Sequence, residues 1–168
     1  MIIAHLNGGL GNQMFQYAIA RAAALRLDTE LKLDRSTCDK SIVPHAVYKL
    51  DAFNITEHFA TPDDIELVKS RNVAWRVTEA DFGGEFFNPK ALEIADDSYL
   101  VGYWQSEKYF ADIADIIRQD FTLHDTHTHK GRRQRRGISK KFARQIVPFP
   151  CMFGAAIISS RISAENSA

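Results

Sequence analysis

Six residues near the start could hold an anion or a sugar. "GGLGNQ", Gly8 to Gln13, sets three glycines within four positions and two carboxamides directly after them. If a strand enters this turn and a helix leaves it, the first helical N–H groups are unpaired and point outward. The helix dipole adds positive potential at the same end. A phosphate or a polar hydroxyl suits such a place. Gly8, Gly9 and Gly11 permit positive φ and put no Cβ in a ligand's way. Asn12 and Gln13 can both donate and accept there. The plain alternative is a turn with Asn12 as helix cap. A dinucleotide fold is a third reading, because Gly9 and Gly11 begin a G-x-G-x-x-G and Asp34 stands where a ribose ligand would. Met14 occupies its third glycine position, and that bulk opposes the close helix–strand contact such folds need.

Three later groups have chemical potential. Tyr103 and Trp104 could stack on a sugar ring and Gln105 could hydrogen-bond it, or Trp104 could fill the core at a strand end. Asp112 and Asp115 have the spacing of an acid pair on one helix face, as well as that of an ordinary solvated acidic face. His124, His127 and His129 have no acidic or cysteine partner at ligand spacing except Asp125, so no metal is expected.

The surrounding elements follow from periodicity. Residues 2–6 read as a short buried strand, and 12–27 as a helix with an apolar stripe at Met14, Phe15, Ala18, Ile19, Ala22 and Leu25. "ELKLD", residues 30–34, alternates as a second strand. Thr61 is placed to cap a helix, with Pro62 at its first position and Asp63 and Asp64 in its first turn. Residues 72–77 and 98–104 are further strand candidates. Ser106 should open a helix through Gln119, with Phe110, Ile113 and Ile117 on one face. Strands alternating with helices predict an α/β fold around a parallel sheet.

Beyond about Asp125 this pattern dissolves, and the charge changes with it. Residues 1–129 hold 12 Lys and Arg against 20 Asp and Glu; residues 130–168 hold 9 against 1. The formal net charge of zero is a cancellation between unlike segments. Lys130 to Arg144 could be a nucleic-acid arm, but its only aromatic residue is Phe142, and a solvated segment is the expectation; no nucleic-acid partner is expected. The longest apolar run, 146–158, is 13 residues with two prolines, too short to span a bilayer. "MIIAHLN" has no basic start or cleavage-like motif, which predicts no secretory leader. Cys38 and Cys151 alone suggest a reducing compartment.

"GGLGNQMFQYA" (Gly8 to Ala18) resembles the N-terminal signature of glycosyltransferase family 11, the α-1,2-fucosyltransferases. "LVGYWQSEKYF" (Leu100 to Phe110) is similar to that family's central motif, and "EFFNPK" (Glu85 to Lys90) to the segment before it. The resemblance covers roughly residues 1–123. It implies the Rossmann-like N-terminal lobe of a two-domain, GT-B-like enzyme that moves L-fucose from GDP-fucose to the 2-hydroxyl of a galactose, with inversion and without a metal or other cofactor. It further implies that Gly8, Gly9, Gly11, Asn12, Gln13, Tyr103, Trp104 and Gln105 are substrate-binding candidates, with a galactose-containing glycan as partner. The expected location is the cytoplasm, peripheral to the inner face of the membrane.

The family's donor motif, His-x-Arg-Arg-Gly-Asp, supplies an arginine to the departing diphosphate, whose charge needs such a fork. It is not spelled in this chain, so no catalytic residue is intact. Arg135-Arg136-Gly137 is followed by Ile138 and lacks the histidine. Residues 145–158, back-translated and read from the third base of each codon, permit Asn-Arg-Ala-Val-Ser-Val-His-Val-Arg-Arg-Gly-Asp-Tyr-Leu. The expectation is a reading-frame slip near Asp125 to Lys130, a basic, disordered or non-native tail over 124–168, and a truncated chain without activity.

Overall fold

Three apolar residues at the start, Ile2, Ile3 and Ala4, are buried almost completely, as in a strand covered on both faces. They form β1 (Ile2–His5), which lies between β2 (Leu31–Asp34) and β4 (Ser98–Val101), with β3 (Arg76–Thr78) outside β4. The order is β2-β1-β4-β3, and every pairing is parallel. This is an α/β fold of Rossmann-like kind, as the sequence predicts. The computed structural model describes residues 1–84 and 87–124. Glu85, Phe86 and the whole tail from Asp125, with Cys151, His127 and His129, lie outside the described residues. No helix among the described residues is long and apolar enough to cross a membrane.

The connection from β1 to β2 is α1 (Leu10–Leu27), rich in alanine and closed by Asp28 in the left-handed region at φ 50°. Its small buried residues, Ala18, Ala20, Ala22, Ala23 and Ala24, let it lie close to its neighbours. The expected stripe is displaced. Leu25 is exposed, Met14 and Phe15 are only half-buried, and Gln13, Gln16 and Tyr17 go inside. Between β2 and β3 come a short α2 (Ser36–Asp39) and then α3 (Pro62–Arg71). The latter begins on a capping box: the Thr61 N–H donates to Asp64 Oδ2 at 2.8 Å, and the Asp64 N–H to Thr61 Oγ1 at 3.2 Å. Lys32 Nζ donates to Asp64 Oδ1 at 2.7 Å, which ties this helix to β2.

The helix expected over 106–119 is two pieces. A 3₁₀ stretch spans Glu107–Ile113, Phe110 leaves helical geometry at φ −137°, and α4 (Ala114–Asp120) follows. Tyr109 and Phe110 are both buried, at 1% and 0% exposure. The two rings are held by different neighbours, Tyr109 by Trp104 and Phe110 by Phe15 of α1. Ser106 makes no side-chain cap. Asp112 and Asp115 lie on a solvated acidic face, and Asp120 is tied into the fold. Asp112 pairs with Arg26 and Asp115 with Arg118, while Asp120 accepts from the Tyr17 hydroxyl at 2.7 Å and from Arg21 Nε at 3.2 Å.

Candidate functional site

Ligands of open α/β sheets sit beyond the carboxyl ends of the strands. Here β1 and β4 end side by side, so the glycine turn after β1 meets the Gly102–Gln105 loop after β4. Two side chains join them. Gln105 Nε2 donates to Asn12 Oδ1 at 2.7 Å across 93 positions of sequence. Gln16, 2% exposed, accepts from the Asn7 N–H at 3.0 Å and donates to the Gly102 carbonyl at 3.0 Å. A third tie comes from the end of β3. Glu79 accepts from the Tyr103 N–H at 2.8 Å through Oε2 and from the Trp104 N–H at 3.0 Å through Oε1. An open cleft of about 640 Å³ lies here, with Thr78, Glu79, Val101, Gly102, Tyr103 and Gln105 among its walls.

The glycines divide by role. Gly8 is at φ +72°, and a Cβ there would stand 2.6 Å from Asn12 Nδ2. Gly9 and Gly11, which could have used positive φ, do not. Gly9 is the helix cap at φ −77°, and a Cβ on Gly11 would meet nothing within 4 Å. The reason is the helix: α1 begins at Leu10, so Gly11 already sits in its first turn. That turn has no capping side chain and no acidic residue. Asn12 therefore is not the cap; it is half-buried and faces Gln105.

Two candidates are interior. Gln13 is fully buried, and its amide is spent. Nε2 donates to the carbonyls of Gly8 and Val47, each at 2.9 Å, and Oε1 accepts from the Lys49 N–H at 3.1 Å. Trp104 is also fully buried, between Phe82 at 6.1 Å and Tyr109 at 5.7 Å ring separation, so its core alternative is the one realised. Tyr103, by contrast, is 47% exposed. The structure thus brings Gly8, Asn12, Tyr103 and Gln105 to one rim.

Gln16 and Glu79 escaped the sequence reading. A glutamine three places after Gln13, on the inward side of an alanine-rich helix, is the signal for the first, because buried amides need partners. Nothing local marks Glu79. Asp34, the ribose candidate of the dinucleotide reading, is also committed: it is 5% exposed, and accepts from the Tyr99 hydroxyl at 2.5 Å and the Ser36 N–H at 2.9 Å. Burial opposes its ionisation, but these bonds outweigh burial and lower its pKa. Burial also lowers the pKa of neighbouring His5. That leaves a closed polar cluster, not a ribose site.

The chain is 30% identical over 131 residues to an α-1,2-colitosyltransferase of Escherichia coli, an alignment covering 73% of this chain and 45% of that relative. This supports a glycosyltransferase lineage. The chain spans less than half the length of the curated relative it matches. No protein-family model matches, and no solved structure does. The relative's name specifies colitose, so the similarity reaches a glycosyltransferase and not a fucosyltransferase in particular.

Proposed function

We propose that residues 1–123 are the acceptor-facing lobe of an inverting, metal-independent α-1,2-glycosyltransferase whose donor is GDP-fucose and whose acceptor is the 2-hydroxyl of a galactose in a glycan. The observation that carries this reading is the junction at the carboxyl end of the sheet. The two segments that resemble the fucosyltransferase family, 8–18 and 100–110, meet there through Asn12 and Gln105. Colitose is fucose without its 3-hydroxyl, so the relative's sugar is close in shape to the one proposed. The cleft offers hydroxyl partners and the half-exposed Tyr103 ring, which suit a sugar better than a nucleotide phosphate.

In this reading the lobe holds the acceptor. The arginine that would meet the diphosphate as it leaves is not spelled in this sequence, and the neighbouring frame of residues 145–158 permits it. In our reading a frame slip separates the two. The 168-residue polypeptide then binds a galactose-containing glycan without transferring to it. This non-catalytic binding is the second reading, favoured by a cleft that forms within residues 1–124. Titrating methyl β-galactoside into the purified chain, followed by ligand-observed NMR, tests it. Weak saturable binding that Asn12→Ala abolishes is expected; no binding by the wild type overturns the acceptor-lobe assignment.

A further inference from the structure

Glu79 is the one carboxylate among the described residues lining the cleft. Both of its oxygens are fixed from behind by the N–H groups of Tyr103 and Trp104. A carboxylate has about four lone-pair sites, so each oxygen can still accept once more. The loop it grips is strained: Trp104 sits at φ +54°, a conformation unusual for a bulky residue. Such geometry persists where the surroundings over-determine it, and here Glu79 does so.

Gly102 completes the feature. It is at φ +155°, and a Cβ there would stand 2.5 Å from Glu79 Cβ and 3.0 Å from both Glu79 Oε2 and Trp104 Nε1. That indole nitrogen is buried and has no hydrogen-bond partner among the described residues, an unspent donor in a fully buried side chain. Gly102 therefore makes room for the Glu79 side chain against the loop, and the Glu79 carboxylate, which lines the cleft, keeps lone pairs to spare. A sugar hydroxyl, which has one proton to give, is a chemical group complementary to that acceptor.

We propose that the cleft wall at Gly102 is a hydroxyl-binding subsite for the glycan, with Glu79 accepting the proton of one galactose hydroxyl. This rests on the acceptor-lobe reading above and deepens it. Glu79 is then a specificity-determining residue as well as the clamp of the 102–105 loop.

The test is a cycle between protein and ligand, using the full 168-residue chain, methyl β-galactoside and its monodeoxy analogues. The wild type should bind one monodeoxy analogue about tenfold more weakly than the parent, the scale of a hydrogen bond to a charged group. In Glu79→Gln that difference should shrink below about twofold, while the other analogues keep theirs. A merely structural Glu79 would weaken every ligand alike, and that additive result overturns the subsite while leaving galactoside binding intact. Absence of wild-type binding overturns both. Should Glu79→Gln not fold, the ¹³C resonance of the Glu79 carboxyl in the wild type decides the matter. It should move on adding the parent galactoside and stay put with the critical deoxy analogue; equal movement, or none, overturns the proposal.

Discussion

At the scale of single residues, the glycine turn makes opposite predictions for two glycines that look alike in sequence. Gly8→Ala places a Cβ at positive φ and 2.6 Å from the Asn12 amide. It should lose about 1–2 kcal/mol or more of stability in urea unfolding, the cost of a left-handed L-residue. Gly11→Ala enters open space in a helical first turn and should be neutral or gain up to about 1 kcal/mol. Equal losses for the two would refute the division of roles. Gln16→Ala strands the Asn7 N–H and the Gly102 carbonyl. A drop of about 2 kcal/mol or more is expected, since each orphaned buried group costs about 1–3. A fall of a few tenths only would mean that the tie between the two loops carries no weight.

At the scale of elements, capping could be read directly: Thr61, Pro62 and Asp64 announce α3, and the capping box is there. Thr61→Ala should cost about 1 kcal/mol by thermal melting. The same box sets an acid response. The Lys32 ammonium, and then the Thr61 N–H, hold Asp64 at about 2, below its ordinary 3.8. A carboxylate lowered in the folded state adds stability above its unfolded value, and that contribution drains as pH falls through the folded one. Between pH 3.8 and about 2 the wild type should therefore lose stability more steeply than Asp64→Asn, measured by urea unfolding across that range. Parallel curves would show that the Lys32 link is inert. The segment after Ser106 was less legible. Its apolar spacing describes a helix, but spacing does not reveal the break at Phe110, where the backbone leaves helical geometry.

At the scale of the whole molecule, the decisive feature is where the charge and the periodicity change together, near Asp125. If a frame slip lies there, the bases beneath Cys151 to Ile158 spell the arginine motif in the neighbouring frame, and sequencing the gene will show it. The 168-residue polypeptide should give no turnover of GDP-fucose on a galactoside, while a version restored to the neighbouring frame should. Turnover by the unrestored chain would contradict the proposal.

Local rules sufficed for what is local: a buried parallel strand, a glycine turn opening a helix, a capped α3 and an α/β class all follow from side-chain period and backbone chemistry. Which candidate side chains face solvent did not follow from them. Gln13 and Asn12 are neighbours in sequence, and only the packing of the 47–49 loop turns one into an internal staple and leaves the other at the rim. The rim itself exists because β4 inserts beside β1, bringing Gly102 and Gln105 to the glycine turn from far along the chain. Burial and convergence are properties of pairs of distant residues, and no spacing along one segment encodes them.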